Sequence, residues 1–256
     1  MALRQSKKKR PRREDKQDKE SWPLEEGVFD RNSLIALDRF RGKGIVRTLD
    51  YCIAEGKEAN VYRATKEDGS FVAVKMYRLR SPSFVHMGQY IEGDRRFSKI
   101  KGNSQGLIFA WTQKEYRNLE LLHDAGVRVP DPIAFKANIL AMEFLGVDGL
   151  PYSRLVEVGS EDPNRDYDLI RADVKKMREA GLVHGDLSEF NILMTDKGPY
   201  IIDCGQAVLL THPRALEFYN RDLRTLWKYF SKYPDFDRPE PVAEESEGKN
   251  KEPENK

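Results

Sequence analysis

The chain has 256 residues, of which 39% are hydrophobic and 34% charged. That is enough for one large domain or for two small lobes sharing a cleft. The formal net charge is only +2, but it is unevenly spread: the start, RQSKKKRPRREDK, is dense in Lys and Arg, and the close, EPVAEESEGKNKEPENK, is rich in Glu, Lys and Pro. Neither stretch has an apolar period, so residues 1–22 and 237–256 are expected to be disordered, solvated tails. The basic one reads most plainly as a solvated arm; its sharper reading is a contact with a phosphate-rich polymer, RNA above all. No apolar run reaches the length of about eighteen residues that a membrane span needs, and nothing near Met1 resembles a signal peptide. Cys52 and Cys204 form no metal-ligand or redox pattern. Membrane-spanning and disulfide-stapled secreted classes are thereby excluded, and a soluble, reduced, cytoplasmic protein is expected.

Residues 23–46 read as a helical segment before the core. Leu34, Leu37 and Phe40 stand at helical spacing, with Asn32 or Ser33 as N-cap and Gly42 as stop. Residues 47–145 read as a β-rich lobe. Two β-rich runs flank the turn signal KEDGS, and in the second Phe71, Ala73 and Lys75 share one face while Val72, Val74 and Met76 share the other. Residues from about 80 to 108 have little periodicity and read as a flexible insertion. Trp111, Tyr116, Leu119 and Leu122 then mark a helix ending at Gly126, followed by strands in IAFKA and ILAMEFL. Residues 146–236 read as a reduced helical lobe. An irregular link, VDGLPYSRL, leads to a helix stopped by Gly181, a hairpin in NILMTDKGPYIIDCG and a last helix. In that helix Leu216, Tyr219, Leu223, Leu226 and Phe230 form a stripe that is expected to be core. The fold class is therefore α+β: a two-lobed architecture with a β-rich first lobe, a reduced helical second lobe and a cleft between them, which the motifs below liken to a protein kinase.

Four pieces of this sequence carry chemistry in that order. In AEGKEANV, the small residues Ala54, Gly56 and Ala59 stand where a loop covering phosphates tolerates no bulk, with Lys57, Glu58 and Val61 beside them. Alone, that stretch is only a hairpin turn. In AVK, Lys75 on a strand with Ala73 can reach α- and β-phosphates, but an inward ammonium needs a carboxylate. Glu115 is the first candidate and Glu120, between two leucines, the second. In AMEFLG, the backbone of Glu143 and Leu145 can pair with an adenine edge, with Met142 behind it; alone, that is an ordinary strand end. HGDLSEFN and IIDCGQ make the fourth piece. The spacing Asp186–Asn191 and the D-x-G after one hairpin match the kinase pattern H-R-D-x-x-x-x-N plus D-F-G. Asn191 and Asp203 are hard oxygen donors for a metal bound with a phosphoryl donor, and Asp186 is free to accept a hydroxyl proton or orient a nucleophile. His184 reads as a packed, hydrogen-bonded loop histidine, and His86, His123 and His212 share no constellation.

Together GKEANVY, EYRNLELLHDAGVRVPDPI, MEFLG, HGDLSEFNIL and IIDCGQAV resemble the RIO family of atypical protein kinases, over residues 28 to 232. The likeness is to the branch with GKEANVY, whose members lack a winged helix-turn-helix domain. The resemblance implies a serine/threonine kinase or ATPase dependent on ATP and Mg²⁺, with Mn²⁺ as a substitute. It implies Lys75 as the ATP-contacting lysine, Asp186 as the catalytic aspartate, Asn191 and Asp203 as metal ligands, and Asp203 as acceptor of an aspartyl phosphate. It also implies a partner, the maturing small ribosomal subunit, with ribosomal RNA reached through the basic tail.

This sequence departs from the family at Ala54-Glu55, where Ser-Thr is usual, which removes two hydroxyl donors and adds a negative charge near phosphates. Gly185 replaces the arginine of ordinary kinases, and Cys204 their phenylalanine. No A-P-E motif follows, so a broad peptide groove is not expected. Slow turnover and self-phosphorylation on Ser98 or Ser104 are. Two rival readings remain: a small-molecule phosphotransferase, which needs a longer helical region after the D-x-G, and a non-catalytic ATP-bound assembly factor on ribosomal RNA.

Overall fold

A computed structural model describes residues 30–79, 90, 94 and 104–244. Helix α1, Arg31–Gly42, starts two or three residues earlier than expected, because Asp30 rather than Asn32 or Ser33 is the N-cap and accepts from the Ser33 N–H at 2.8 Å. Its buried face is Ser33, Ala36 and Phe40, whereas Leu34 is turned outward.

Strands β1 (Thr48–Glu55), β2 (Ala59–Thr65), β3 (Phe71–Tyr77), β4 (Pro132–Lys136) and β5 (Ile139–Glu143) form one antiparallel sheet in the order β1-β2-β3-β5-β4. The stretch before KEDGS holds two strands, β1 and β2, parted by the loop Gly56–Glu58, so AEGKEANV spans the turn between them. Register shifts in β1 at Leu49/Tyr51 and Cys52/Ala54 bend it over that loop. The period-2 alternation of β3 sorts its two faces. Val72, Val74 and Met76 pack beneath Ala36 and Phe40 of α1, while Ala73 and Lys75 turn to the cleft.

Helix α2, Ser104–Asp124, joins the two lobes. It begins inside the stretch read as insertion, whose remaining residues, Tyr90 and Asp94 apart, lie outside the described ones. Leu119 and Leu122 of α2 share one apolar core with Leu140 of the sheet and with Tyr167, Ile170, Leu226 and Phe230 of the second lobe.

The link after β5 is more ordered than its sequence suggests. It holds a small hairpin, β6 (Gly146–Val147) with β7 (Leu150–Pro151), and the one-turn helix α3, Leu155–Val158. Helix α4, Pro163–Glu179, is capped by Asp162 and begins with Pro163. Strand β8 (Leu182–Val183) pairs with β11 (Val208–Leu209), and β9 (Ile192–Thr195) with β10 (Gly198–Ile201).

Helix α5, Ala215–Phe230, closes the lobe. Its buried residues are Ala215, Phe218, Asp222, Leu223, Leu226 and Phe230, so the core stripe passes through Phe218 rather than through the half-buried Leu216 and Tyr219. The expectation of a free tail from residue 237 fails for its first eight residues. Arg238 O accepts from Trp227 Nε1 at 3.0 Å, Arg238 pairs with Asp168, and Glu244 pairs with Arg178 and bonds both ways with Asn220. Buried residues of α4 and α5 explain the reach of this strap: Phe236 stacks edge-on against Tyr167 at 5.0 Å.

Candidate active site

A cavity of about 720 Å³ lies between the lobes. Its roof is the β1–β2 loop, with Ala54, Gly56, Lys57, Glu58, Ala59 and Val61 all on the lining, continued by Ala73 and Lys75 of β3. The loop is held tight by a hydrogen bond from Gly56 N–H to Ala59 O at 2.9 Å. A Cβ on Gly56 would stand 2.9 Å from that same oxygen, so the position has no room for a side chain. Met142, Leu193 and Ile202 supply apolar walls.

At the link between lobes, the N–H of Glu143 is taken by Asp131 O at 2.8 Å and the carbonyl of Leu145 by Tyr152 N at 3.0 Å. Glu143 and Leu145 both line the cavity, and the carbonyl of the first with the N–H of the second would be complementary to the N6 and N1 positions of adenine.

Lys75 is the electrostatic centre of the cleft. Its Nζ donates to Glu115 Oε1 at 2.8 Å and to Asp203 Oδ1 at 2.9 Å. Glu115 also accepts from the Tyr77 hydroxyl through Oε2. Glu120, the second candidate for this partnership, pairs with Arg117 instead. Burial alone would push the Lys75 ammonium down, but Asp203 and Glu115 outweigh it and hold it well above its ordinary value. Asp203 is held low: burial opposes, and Lys75 prevails. Glu115 goes the other way, because burial outweighs the pull of Lys75.

The loop His184–Asn191 is suspended from helix α5. Asp222 of α5 accepts from the N–H groups of Gly185 at 2.7 Å and Leu187 at 3.2 Å, and Arg221 donates to Gly185 O. Burial pushes the Asp222 carboxyl up to about 7 despite those two donors. His184 is buried. It accepts from Asp186 N–H at Nδ1, 3.3 Å, so its other nitrogen, 3.2 Å from Ile202 O, carries the proton. Burial lowers its pKa and keeps the ring neutral. Asn191 Nδ2 donates to Asp186 O at 2.9 Å, which aims its amide oxygen the other way. Asn191 and Asp203 both line the cavity. Asp186 and Glu115 do not: Glu115 is buried against Lys75, and Asp186 is exposed next to the cavity, its carbonyl bonded to the Asn191 amide. The Asp186 carboxyl is pushed up by desolvation first and by the nearby Asp203 second.

Among the described residues no three His, Cys, Asp or Glu side chains converge on a metal position. One carboxylate and one amide oxygen do suit Mg²⁺, which keeps several waters and completes its shell from substrate phosphates. The donor set therefore fits a metal brought in with a nucleotide.

Sequence reasoning missed several residues that build the site: Tyr77, Lys114, Asn118, Arg221 and Asp222. A signal existed for Asp222, a carboxylate on the apolar stripe Phe218–Leu226 of α5.

A lysine on a sheet strand paired to a helix glutamate, over a D-x-G and a loop hung from the second lobe, defines a two-lobed protein-kinase fold. The RIO domain family model matches residues 60–239. Over 213 residues the chain is 42% identical to the RIO-type serine/threonine-protein kinase Rio1 of Haloferax volcanii, a match covering 83% of this chain and 73% of that protein. The chain belongs to the RIO family of atypical serine/threonine kinases. It is also 37% identical to serine/threonine-protein kinase RIO1 of Caenorhabditis elegans and 36% identical to the human one. Those matches cover 87% and 84% of this chain but only 44% and 39% of the relatives. The solved Rio2 kinase of Chaetomium thermophilum, in an ADP/Mg²⁺-phosphoaspartate complex, aligns with a TM-score of 0.64 at 25% identity, over 82% of this chain and 63% of that one.

Proposed function

We propose that the protein is an ATP- and Mg²⁺-dependent serine/threonine kinase and ATPase that acts in the maturation of the small ribosomal subunit and phosphorylates itself. The observation that carries the catalytic part is the position of Lys75, bridging Glu115 and Asp203 at 2.8 and 2.9 Å beside a cavity whose far end offers an adenine-complementary edge.

Each residue then has a task. Glu143 O and Leu145 N–H hold the base, with Met142, Val61 and Ala73 around it. Lys75 holds the α- and β-phosphates, and the loop Ala54–Ala59 covers them. Asn191 and Asp203 hold Mg²⁺, or Mn²⁺ in its place, which when bound neutralises charge on the phosphates. Asp186 accepts the proton of the attacking hydroxyl or orients the nucleophile; with a loose transition state, placement counts for more than basicity. Asp203 is the candidate acceptor in an aspartyl phosphate. Its carboxylate oxygen bonds to the γ-phosphorus as ADP leaves, and water then releases phosphate. The Rio2 kinase of C. thermophilum, whose solved complex holds a phosphoaspartate, supports that step.

The ribosomal part rests on the family and on the basic start of the chain, residues 1–22. The partner is the pre-small subunit, contacted through ribosomal RNA in the cytoplasm. No described helix is long and apolar enough to cross a membrane.

One observation favours ATPase over protein kinase as the working activity. Among the described residues a single helix, α5, follows the D-x-G, and its inner face is spent on the core of the lobe rather than on a peptide. The test is Asp186→Ala, assayed for phosphate release from ATP and for association with pre-small subunits. Lost release with retained association supports an ATPase that times dissociation. Wild-type release by the variant would sink the catalytic assignment.

A further inference from the structure

The inner face of helix α2 carries Trp111, Lys114, Glu115 and Asn118, at the i, i+3, i+4, i+7 spacing of one helix face. Glu115 is accounted for by Lys75. Lys114 and Asn118 are not needed by that pair, and both are fully buried. A buried ammonium is costly, and a methionine would fill the same space without that cost. Lys114 Nζ donates to Gly205 O at 2.7 Å and to Ala207 O at 2.5 Å. Asn118 Nδ2 donates to Cys204 O at 2.9 Å and to Ala207 O at 3.1 Å. All three acceptors belong to the turn that follows Asp203. Trp111 fills the space behind it: a Cβ on Gly205 would stand 2.9 Å from the indole nitrogen.

We propose that Lys114 and Asn118 are positioning residues that fasten the Asp203–Ala207 turn to α2 and so set the Asp203 carboxylate before nucleotide arrives. Asp203 has φ 62° and ψ 58°, in the left-handed region. A non-glycine residue stays there when its surroundings hold it. The carbonyls of Cys204, Gly205 and Ala207 supply that hold from the main-chain side. From the side-chain side, Lys75 holds Oδ1 and Glu115 holds Lys75. Both grips lead to the same helix, so Asp203 is clamped to α2 at two points.

The consequence is regulatory as well as geometric. In ordinary protein kinases, displacement of the corresponding helix and phosphorylation of an activation loop switch the site. Here a swing of α2 breaks four side-chain hydrogen bonds to one turn at once, and Gly185 leaves no arginine to read a phosphate. The turn that carries Asp203 is therefore assembled on α2 before nucleotide arrives.

This inference rests on the reading of Asp203 as a Mg²⁺ ligand, and its test separates the two. ADP is titrated into the full chain by calorimetry without metal, and Mg²⁺ is then titrated into the ADP complex. The variants are Lys114→Met and Asn118→Ala. Asn118→Ala is the milder one, because Ala207 O keeps Lys114 and Cys204 O keeps the Ala207 N–H at 3.2 Å. Metal-free ADP affinity is expected to stay within about twofold, while Mg²⁺ affinity falls about tenfold or more, the usual effect of removing a group that orients a metal ligand. Hydrogen exchange of residues 203–207 is expected to quicken in the unliganded variants. Folded variants that bind Mg²⁺ like the wild type, even with a lower melting temperature, overturn the proposal and leave the function standing. A wild-type ADP complex that does not take up Mg²⁺ overturns both.

Discussion

Lys75→Met isolates the electrostatics of the cleft. In the wild type the Lys75 and Glu115 side chains are 9% and 1% exposed, so the substitution leaves Glu115 buried without its cation. Removing one partner of a buried pair costs about 3–5 kcal/mol. A second route bounds that figure, because the orphaned carboxylate escapes by taking a proton. From an ordinary value of 4.5, protonation at pH 7 costs about 3.4 kcal/mol at ~1.36 kcal/mol per pH unit. At pH 5.5 the same step costs about 1.4 kcal/mol. The sign follows: in the variant, Glu115 binds its proton more tightly folded than unfolded, so stability relative to wild type falls as pH rises through this window. Urea unfolding without nucleotide, followed by the fluorescence of buried Trp111, measures both values. The expected loss is about 3–4 kcal/mol at pH 7 and about 1–2 kcal/mol at pH 5.5. Adding Glu115→Gln removes the orphan charge and restores most of the loss. A Lys75→Met protein as stable as wild type at pH 7, or with the same deficit at both pH values, refutes the reasoning.

Three further outcomes are expected. Gly56→Ala puts a Cβ 2.9 Å from Ala59 O and displaces the loop proposed to cover the phosphates; KM for ATP rises severalfold with kcat changed less, in steady-state phosphate release, and an unchanged KM counts against the loop's role. Buried His184 has its pKa lowered by burial, so its contribution to stability is present above its ordinary value of 6.5 and is lost as pH falls through the lower folded value. Stability curves of wild type and His184→Gln between pH 5 and 7.5 should therefore converge toward the acid side; parallel curves contradict a neutral, buried imidazole. Incubation with ATP should put phosphate on Ser98, outside the described residues, or on Ser104, the first residue of α2; peptide mass spectrometry that finds neither serine modified removes the self-phosphorylation proposal.

The residues that the structure brings to the cleft were readable because each sits where period and type disagree. Lys75 is a charge in a β-branched run, on the face opposite Val72, Val74 and Met76. Glycine and alanine cluster in the β1–β2 loop, and two acids and an amide recur at fixed spacing after α4. The two-lobed class followed from the order of strands and helices. What stayed hidden has a common physical cause. Asp30 capping α1, the hairpin β6–β7 and the strap to Glu244 depend on partners far along the chain, and local pattern does not report them. Composition made residues 237–244 look solvated, because Asp237, Arg238 and Glu244 are charged. Their bonds to Asp168, Arg178 and Asn220 appear only once α4 and α5 lie side by side.

The buried polar anchors form a separate group. Lys114, Asn118 and Asp222 each occupy a helix position whose neighbours are core, and in sequence each passes for one polar residue among many. Their partners are backbone groups: the carbonyls after Asp203 and the N–H groups of Gly185 and Leu187. A carbonyl or an N–H has no residue type, so no pairing of letters reveals the bond. Yet these three side chains fix the two loops on which Asp186, Asn191 and Asp203 stand, from two helices in different parts of the chain. The residues proposed to touch substrate are of the types that phosphate and metal chemistry asks for, and chemistry is legible as residue type. The residues that aim them are set by where irregular backbone crosses a helix, and that is decided only by the packed fold.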